Sequence, residues 1–215
     1  MKIKQAIFKH GNNCKIESMT SEQFNTFWAL NFANTIPIQH YFRNDYSDRW
    51  FRIHSLPESK RYADNEEEWC ILLDRQNKII TDLLGNDSKF IFVAGDYSSE
   101  GYTELHPLQE VNSIARIHFV MLDPIDLNKL SPDEYEIGQF YKPMFSEQIW
   151  QPNKFDSILK DIADDQLRAF FISVDKKLII APYDGGIDFI LKDTKTRNVY
   201  KQKYSEWLSQ REDGL

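Results

Sequence analysis

Cysteine is scarce in this chain, with only Cys14 and Cys70 among 215 residues. That excludes a disulfide-stapled scaffold and fits the reducing cytosol, so a cytoplasmic location is expected. Long apolar runs are missing too. No stretch approaches the roughly 18 residues that a membrane-spanning helix needs, and Met1-Lys2-Ile3-Lys4-Gln5 lacks the apolar core of a secretion signal. Eight glycines and eight prolines are too few for a collagen-like or low-complexity chain. The familiar chemical signatures are absent as well. There is no Gly-x-x-x-x-Gly-Lys, no Gly-x-Gly-x-x-Gly opening a helix, no His-Glu-x-x-His, no Gly-x-Ser-x-Gly and no Cys-x-x-Cys. No metal site and no cofactor is therefore expected. Cys70 sits among carboxylates that would raise its pKa, and reads as a buried, inert thiol.

What is present is a globular composition, 41 % hydrophobic and 14 % aromatic, with a formal charge of -7. The charge is unevenly spread. Between Asp96 and Glu147 ten acids face three bases, so this segment alone accounts for the whole net charge. The stretch from Arg43 to Tyr62 and the last helix are basic. Overall acidity argues against nucleic acid as a partner, because counterion release rewards a basic surface. An acidic middle favours association with a basic protein.

Local signals predict the elements. Thr20 and Gln23 have capping-box spacing ahead of a helix over 21–33. Arg49 to Leu56 alternates like a strand stopped by Pro57. Asp64 or Asn65 caps a helix over about 65–84, with Glu66, Glu67 and Glu68 at its positive end and Gly85 at its stop. Strands are expected over 89–94, 114–122, 144–151, 169–174, 178–181 and 187–191, and a loop over 96–109, while the span from Ile125 to Pro143 carries no clear pattern. One helix opens at Pro152-Asn153. A final helix is capped by Asp193 or Thr194, with Val199, Tyr200, Tyr204, Trp207 and Leu208 facing inward. Helices and strands cluster instead of alternating, and hairpins fall near the carboxyl terminus. The predicted fold is α+β, a single domain over 1–215 with a mostly antiparallel sheet packed by about four helices.

Two segments are distinctive. In Asp48 to Tyr62, a strand would place Arg52 and His54 on one face, with Lys60 and Arg61 following a proline turn. Arg49, Arg52, His54, Lys60 and Arg61 thus form a candidate anion site, since guanidinium forks suit carboxylate or phosphate. The triplet Arg-Ile-His recurs at Arg116-Ile117-His118, so Arg116 and His118 would join that site if both strands share a sheet face. His10, His40 and His106 show no ligand spacing and read as surface or turn residues. Tyr183-Asp184-Gly185-Gly186-Ile187-Asp188 reads foremost as a tight hairpin. Its sharper alternative, Asp184 with Asp188 as a working carboxylate pair, has too few oxygens for a hard cation.

The run Trp50-Phe51-Arg52-Ile53-His54-Ser55-Leu56-Pro57-Glu58-Ser59-Lys60-Arg61-Tyr62 resembles a motif of small, functionally uncharacterised bacterial proteins. Their carboxyl-terminal part carries a Tyr-Asp-x-x-x-Asp turn and a helix with Tyr and Trp, similar to Tyr183–Asp188 and Tyr204-Ser205-Glu206-Trp207-Leu208 here. The resemblance implies a bacterial cytosolic protein and carries no activity with it. The favoured expectation is a protein-binding module, in its sharpest form an immunity protein that neutralises a toxin. Glu100, Tyr102, Glu104, Glu110, Glu134 and Glu136 are its candidate partner-binding residues, and Tyr97, Phe140, Tyr141 and Trp150 further aromatic anchors. The competing expectation is an enzyme or sensor that holds an anionic small molecule on the Arg49–Arg61 segment. Neither reading fixes an oligomeric state.

Overall fold

The computed structural model describes residues 18–99 and 107–211. Thr20 and Gln23 close the expected capping box, each side chain accepting the other's backbone N–H, and α1 follows over Ser21–Asn31. A short α2 (Phe42–Asp45) leads into β1 (Trp50–His54). The Asn65 side chain accepts from the Glu68 N–H to start α3 (Glu66–Leu84), which stops at Gly85 with φ 89°. Then come β2 (Lys89–Ser99), the two-residue strands β3 (Val120–Met121) and β4 (Ile125–Asp126), and the single turn α4 (Leu127–Leu130). The chain continues through β5 (Gln139–Ile149), α5 (Asp156–Ala163), β6 (Ala169–Ser173), β7 (Leu178–Tyr183), β8 (Gly186–Ile190) and α6 (Thr194–Lys203).

All eight strands join one antiparallel sheet in the order β1-β8-β7-β6-β2-β5-β3, with β4 also on β5. The fold is α+β, as the clustering of elements predicts. Strand alternation explains why the central strands are apolar on both sides. Phe90, Phe92, Phe171, Ile180 and Phe189 pack under α3 and α5. Their sequence neighbours Ile91, Val93, Phe170, Ile172 and Ile179 pack under Phe24, Trp28 and Phe42 of α1 and α2. Along β1 two of the outward carbonyls are covered by guanidinium groups: Arg197 of α6 donates to the Trp50 carbonyl (3.5 Å) and Arg75 of α3 to that of His54 (3.2 Å).

Several expectations need correction. The 114–122 segment is not one strand. Asn112–Ile114 is a 3-10 turn whose Ile114 reaches the core, Phe119 packs against the core from irregular chain, and within 114–122 only Val120 and Met121 pair with β5. Conversely, β2 and β5 extend past the core as an eleven-residue ladder through polar positions such as Asp96↔Lys142. Cys70 is exposed, because the buried stripe of α3 runs through Leu72, Gln76, Ile79, Ile80 and Leu83 and leaves it outside. Val199 faces solvent, whereas Tyr204 is buried beside Trp207. Trp150 and Tyr141 are not anchors on a loop: Trp150 is fully buried against Phe155, and Tyr141 covers the bare backbone of Gly95. No helix among the described residues is long and apolar enough to cross a membrane.

Candidate functional site: a charged cleft at one end of the sheet

The pairing of β1 with β8 sets Arg52 directly opposite Asp188, and the pairing of β8 with β7 sets Asp188 opposite the small Ala181. Arg52 uses this room to donate from Nε and Nη2 to both Asp188 oxygens, at 2.7 and 2.8 Å. Its guanidinium also lies 4.3 Å from the Tyr183 ring centre. Burial alone would weaken the Arg52 charge, but the Asp188 fork more than offsets it and the pKa is raised. Beyond the Pro57 turn, Arg61 donates from Nε to Asp184 at 2.6 Å, and the Tyr62 hydroxyl donates to the same oxygen at 2.9 Å. The two distinctive segments of the sequence are therefore one unit, their bases and acids cross-paired. Gly186 seals it, because a Cβ there would fall on the Ile53 carbonyl oxygen.

Around this unit opens a cleft of about 290 Å³. The turn after α5 contributes Asp165 and Arg168, the approach to α2 contributes Gln39 and His40, and β2 contributes Tyr97. Gln39 Nε2 donates to the Pro182 carbonyl at 2.6 Å, which ties this rim to β7. Arg168 is held loosely, with Nη1 3.6 Å from Asp96 and Nη2 3.8 Å from Asp165, both too long for hydrogen bonds. His40 Nδ1 lies 3.3 Å from the Tyr97 hydroxyl. Burial lowers the His40 pKa although the Glu134 charge pulls the other way. Burial pushes Tyr97 up to about 12 and raises Tyr183 and Tyr141 further, keeping all three phenols protonated.

Of the expected anion site, only Arg52 and Arg61 meet at the cleft. Arg49 lies over the Tyr46 ring at 4.2 Å and donates to the Lys192 carbonyl. Lys60 is tied to Asp64 and Glu68 at 2.8 and 2.5 Å. His54 is buried, its Nε2 has no hydrogen-bond partner among the described residues, and its pKa is lowered by burial and then by the Arg52 charge. Arg116 and His118 are exposed on irregular chain between the 112–114 turn and β3, beside Met19 and Glu147. The two Arg-Ile-His triplets thus share no sheet face, because only the first is in a strand. Asp184 and Asp188 are the partners of arginines, not a free carboxylate pair.

The acidic candidates divide. Glu100, Tyr102 and Glu104 lie outside the described residues, as do His10, Cys14 and His106. Glu110 is exposed on the 107–110 turn, whose Leu108 packs into the core under α3 and α5. Glu134 and Glu136 are exposed on the loop between α4 and β5, together with Asp133 and with Ile137, which is 89 % exposed. The sequence marks neither His40 nor Arg168 as a site residue, and it offers Tyr97 only as an aromatic anchor for a partner, not as part of this cleft. Each is an isolated residue in its own segment, and only the fold brings them together. Among the described residues, no group of three or more His, Cys, Asp or Glu is placed to hold a metal ion.

An α+β domain whose antiparallel sheet ends in a cross-paired charged cleft is what the geometry defines. Residues 38–212 match a domain of unknown function, DUF3885, and the chain belongs to that family; both distinctive segments lie inside the matched span. No curated protein and no solved structure matches the chain.

Proposed function

We propose that this chain is a bacterial, cytoplasmic protein-binding module that docks a basic partner on the loop between α4 and β5, and that the partner is a toxin which it neutralises. The observation that carries the reading is Ile137, 89 % exposed and set beside the outward carboxylates of Asp133, Glu134 and Glu136. An apolar contact rimmed by like charges suits a cationic protein surface, with the charges setting approach rate and orientation and the apolar group holding the complex. Among the described residues, no ion pair joins α6 to Asp133, Glu134 or Glu136. Lys203 is committed to Asp82 at 2.5 Å, and Arg197 to the Trp50 carbonyl.

Partner identification by cross-linking in the native host, followed by titration of the purified partner, tests this. The Asp133→Asn/Glu134→Gln/Glu136→Gln variant is expected to slow association about tenfold at low salt with little change in dissociation. Ile137→Ser is expected to speed dissociation instead. A partner that binds the triple variant at the wild-type rate, or whose binding ignores salt, removes the reading.

A further inference from the structure

We infer that the cleft at the end of the sheet binds a small zwitterion of amino-acid type, its carboxylate on Arg168, its ammonium group on Asp165 and its apolar body against Tyr97, Tyr183 and Pro182. The charges that line the cleft fall into two kinds. Arg52 and Arg61 already donate at hydrogen-bond distance to Asp188 and Asp184, whose side chains are only 10 and 9 % exposed; these pairs form the wall. Arg168 and Asp165 stand at the mouth, 49 and 64 % exposed, facing one another at 3.8 Å without a hydrogen bond. They are an opposite-charge pair whose hydrogen-bonding capacity toward each other is unspent.

Charge selects the ligand. The lining arginines Arg52, Arg61 and Arg168 are matched by Asp165, Asp184 and Asp188, with Asp96 and Glu134 close by. A simple anion would enter a field already balanced toward the acids, and a simple cation would leave the Arg168 fork without an oxyanion. A molecule with both charges satisfies both groups and leaves the sum unchanged. In an α-amino acid the nitrogen and the carboxyl carbon are about 2.5 Å apart, so the two groups lie alongside a neighbouring guanidinium and carboxylate. The volume lies near the lower limit of small-ligand sites, which suits one amino acid and not a dinucleotide. The His40 ring and the Tyr97 hydroxyl add polar contacts at the rim.

Three probes with one phenyl body separate the possibilities by calorimetry or ligand-observed NMR on the full chain: L-phenylalanine, 3-phenylpropanoate and phenethylamine. Phenylalanine is expected to bind at least about tenfold tighter than either probe that lacks one charge. Arg168→Ala is expected to bring phenylalanine down to the level of phenethylamine, and Asp165→Asn to the level of 3-phenylpropanoate. Melting temperatures of both variants establish that they fold. Phenylpropanoate binding as tightly as phenylalanine would make the cleft a plain oxyanion site, and phenethylamine doing so would make it a pocket for a basic side chain. Either result overturns the proposal. So does the absence of binding by all three probes at millimolar concentration, which leaves Arg168 and Asp165 as surface charges.

Discussion

Asp188 shows how one side chain can be indispensable without adding net stability. It is buried with Arg52 in a two-point fork, so truncating it strands a guanidinium in a poorly hydrated place. Asp188→Ala is expected to cost about 3–5 kcal/mol in urea denaturation. The double change Arg52→Met/Asp188→Leu should recover most of that loss, because replacing a buried pair by apolar groups removes both desolvation penalties at once. His54 acts through protons. Burial holds its pKa below the usual 6.5, so in the unfolded chain it takes up a proton at a pH where the folded protein still refuses one. The stability it permits is complete above about pH 6.5 and drains away as pH falls toward the folded value. Melting temperatures recorded between pH 8 and pH 5 should fall less steeply for His54→Gln than for the wild type.

The hairpin of β7 and β8, with β1 beside it, depends on a single missing methyl group. Gly186→Ala would drive a Cβ into the Ile53 carbonyl, which forces β1 away from β8 and breaks the Arg52–Asp188 register. A loss of about 3 kcal/mol or more is expected from thermal or chemical denaturation, with weaker protection of the Ser55 amide that bonds to Gly185. Elements of this kind differ in how plainly their sequence announces them. The capping box of Thr20, the acidic first turn after Asn65 and the stop at Gly85 are local chemistry, and each lies where the pattern puts it. The alternation over 114–122 misleads because Ile114 and Phe119 are apolar for another reason: they cover the core edge from chain that forms no ladder. The far halves of β2 and β5 went unread because a ladder beyond the core needs backbone partners but no apolar face.

For the whole molecule, the candidate cleft was legible only in halves. Each distinctive segment stands out in the sequence, but cross-pairing of Arg52 with Asp188 and of Arg61 with Asp184 requires the sheet that brings β1 beside β8. Arg168 carries no local mark at all; its significance comes from Asp165 and Tyr97 nearby in space. The borders of the sheet set a further constraint. On one side, the carbonyls of Trp50 and His54 are occupied by Arg197 and Arg75, and on the other the ladder dwindles to the two-residue β3. A second strand brought alongside β1 would have to displace those two guanidinium groups before its own N–H groups could reach the Trp50 and His54 carbonyls. The β1 margin is thus blunted against edge-to-edge pairing by two arginine side chains supplied from helices.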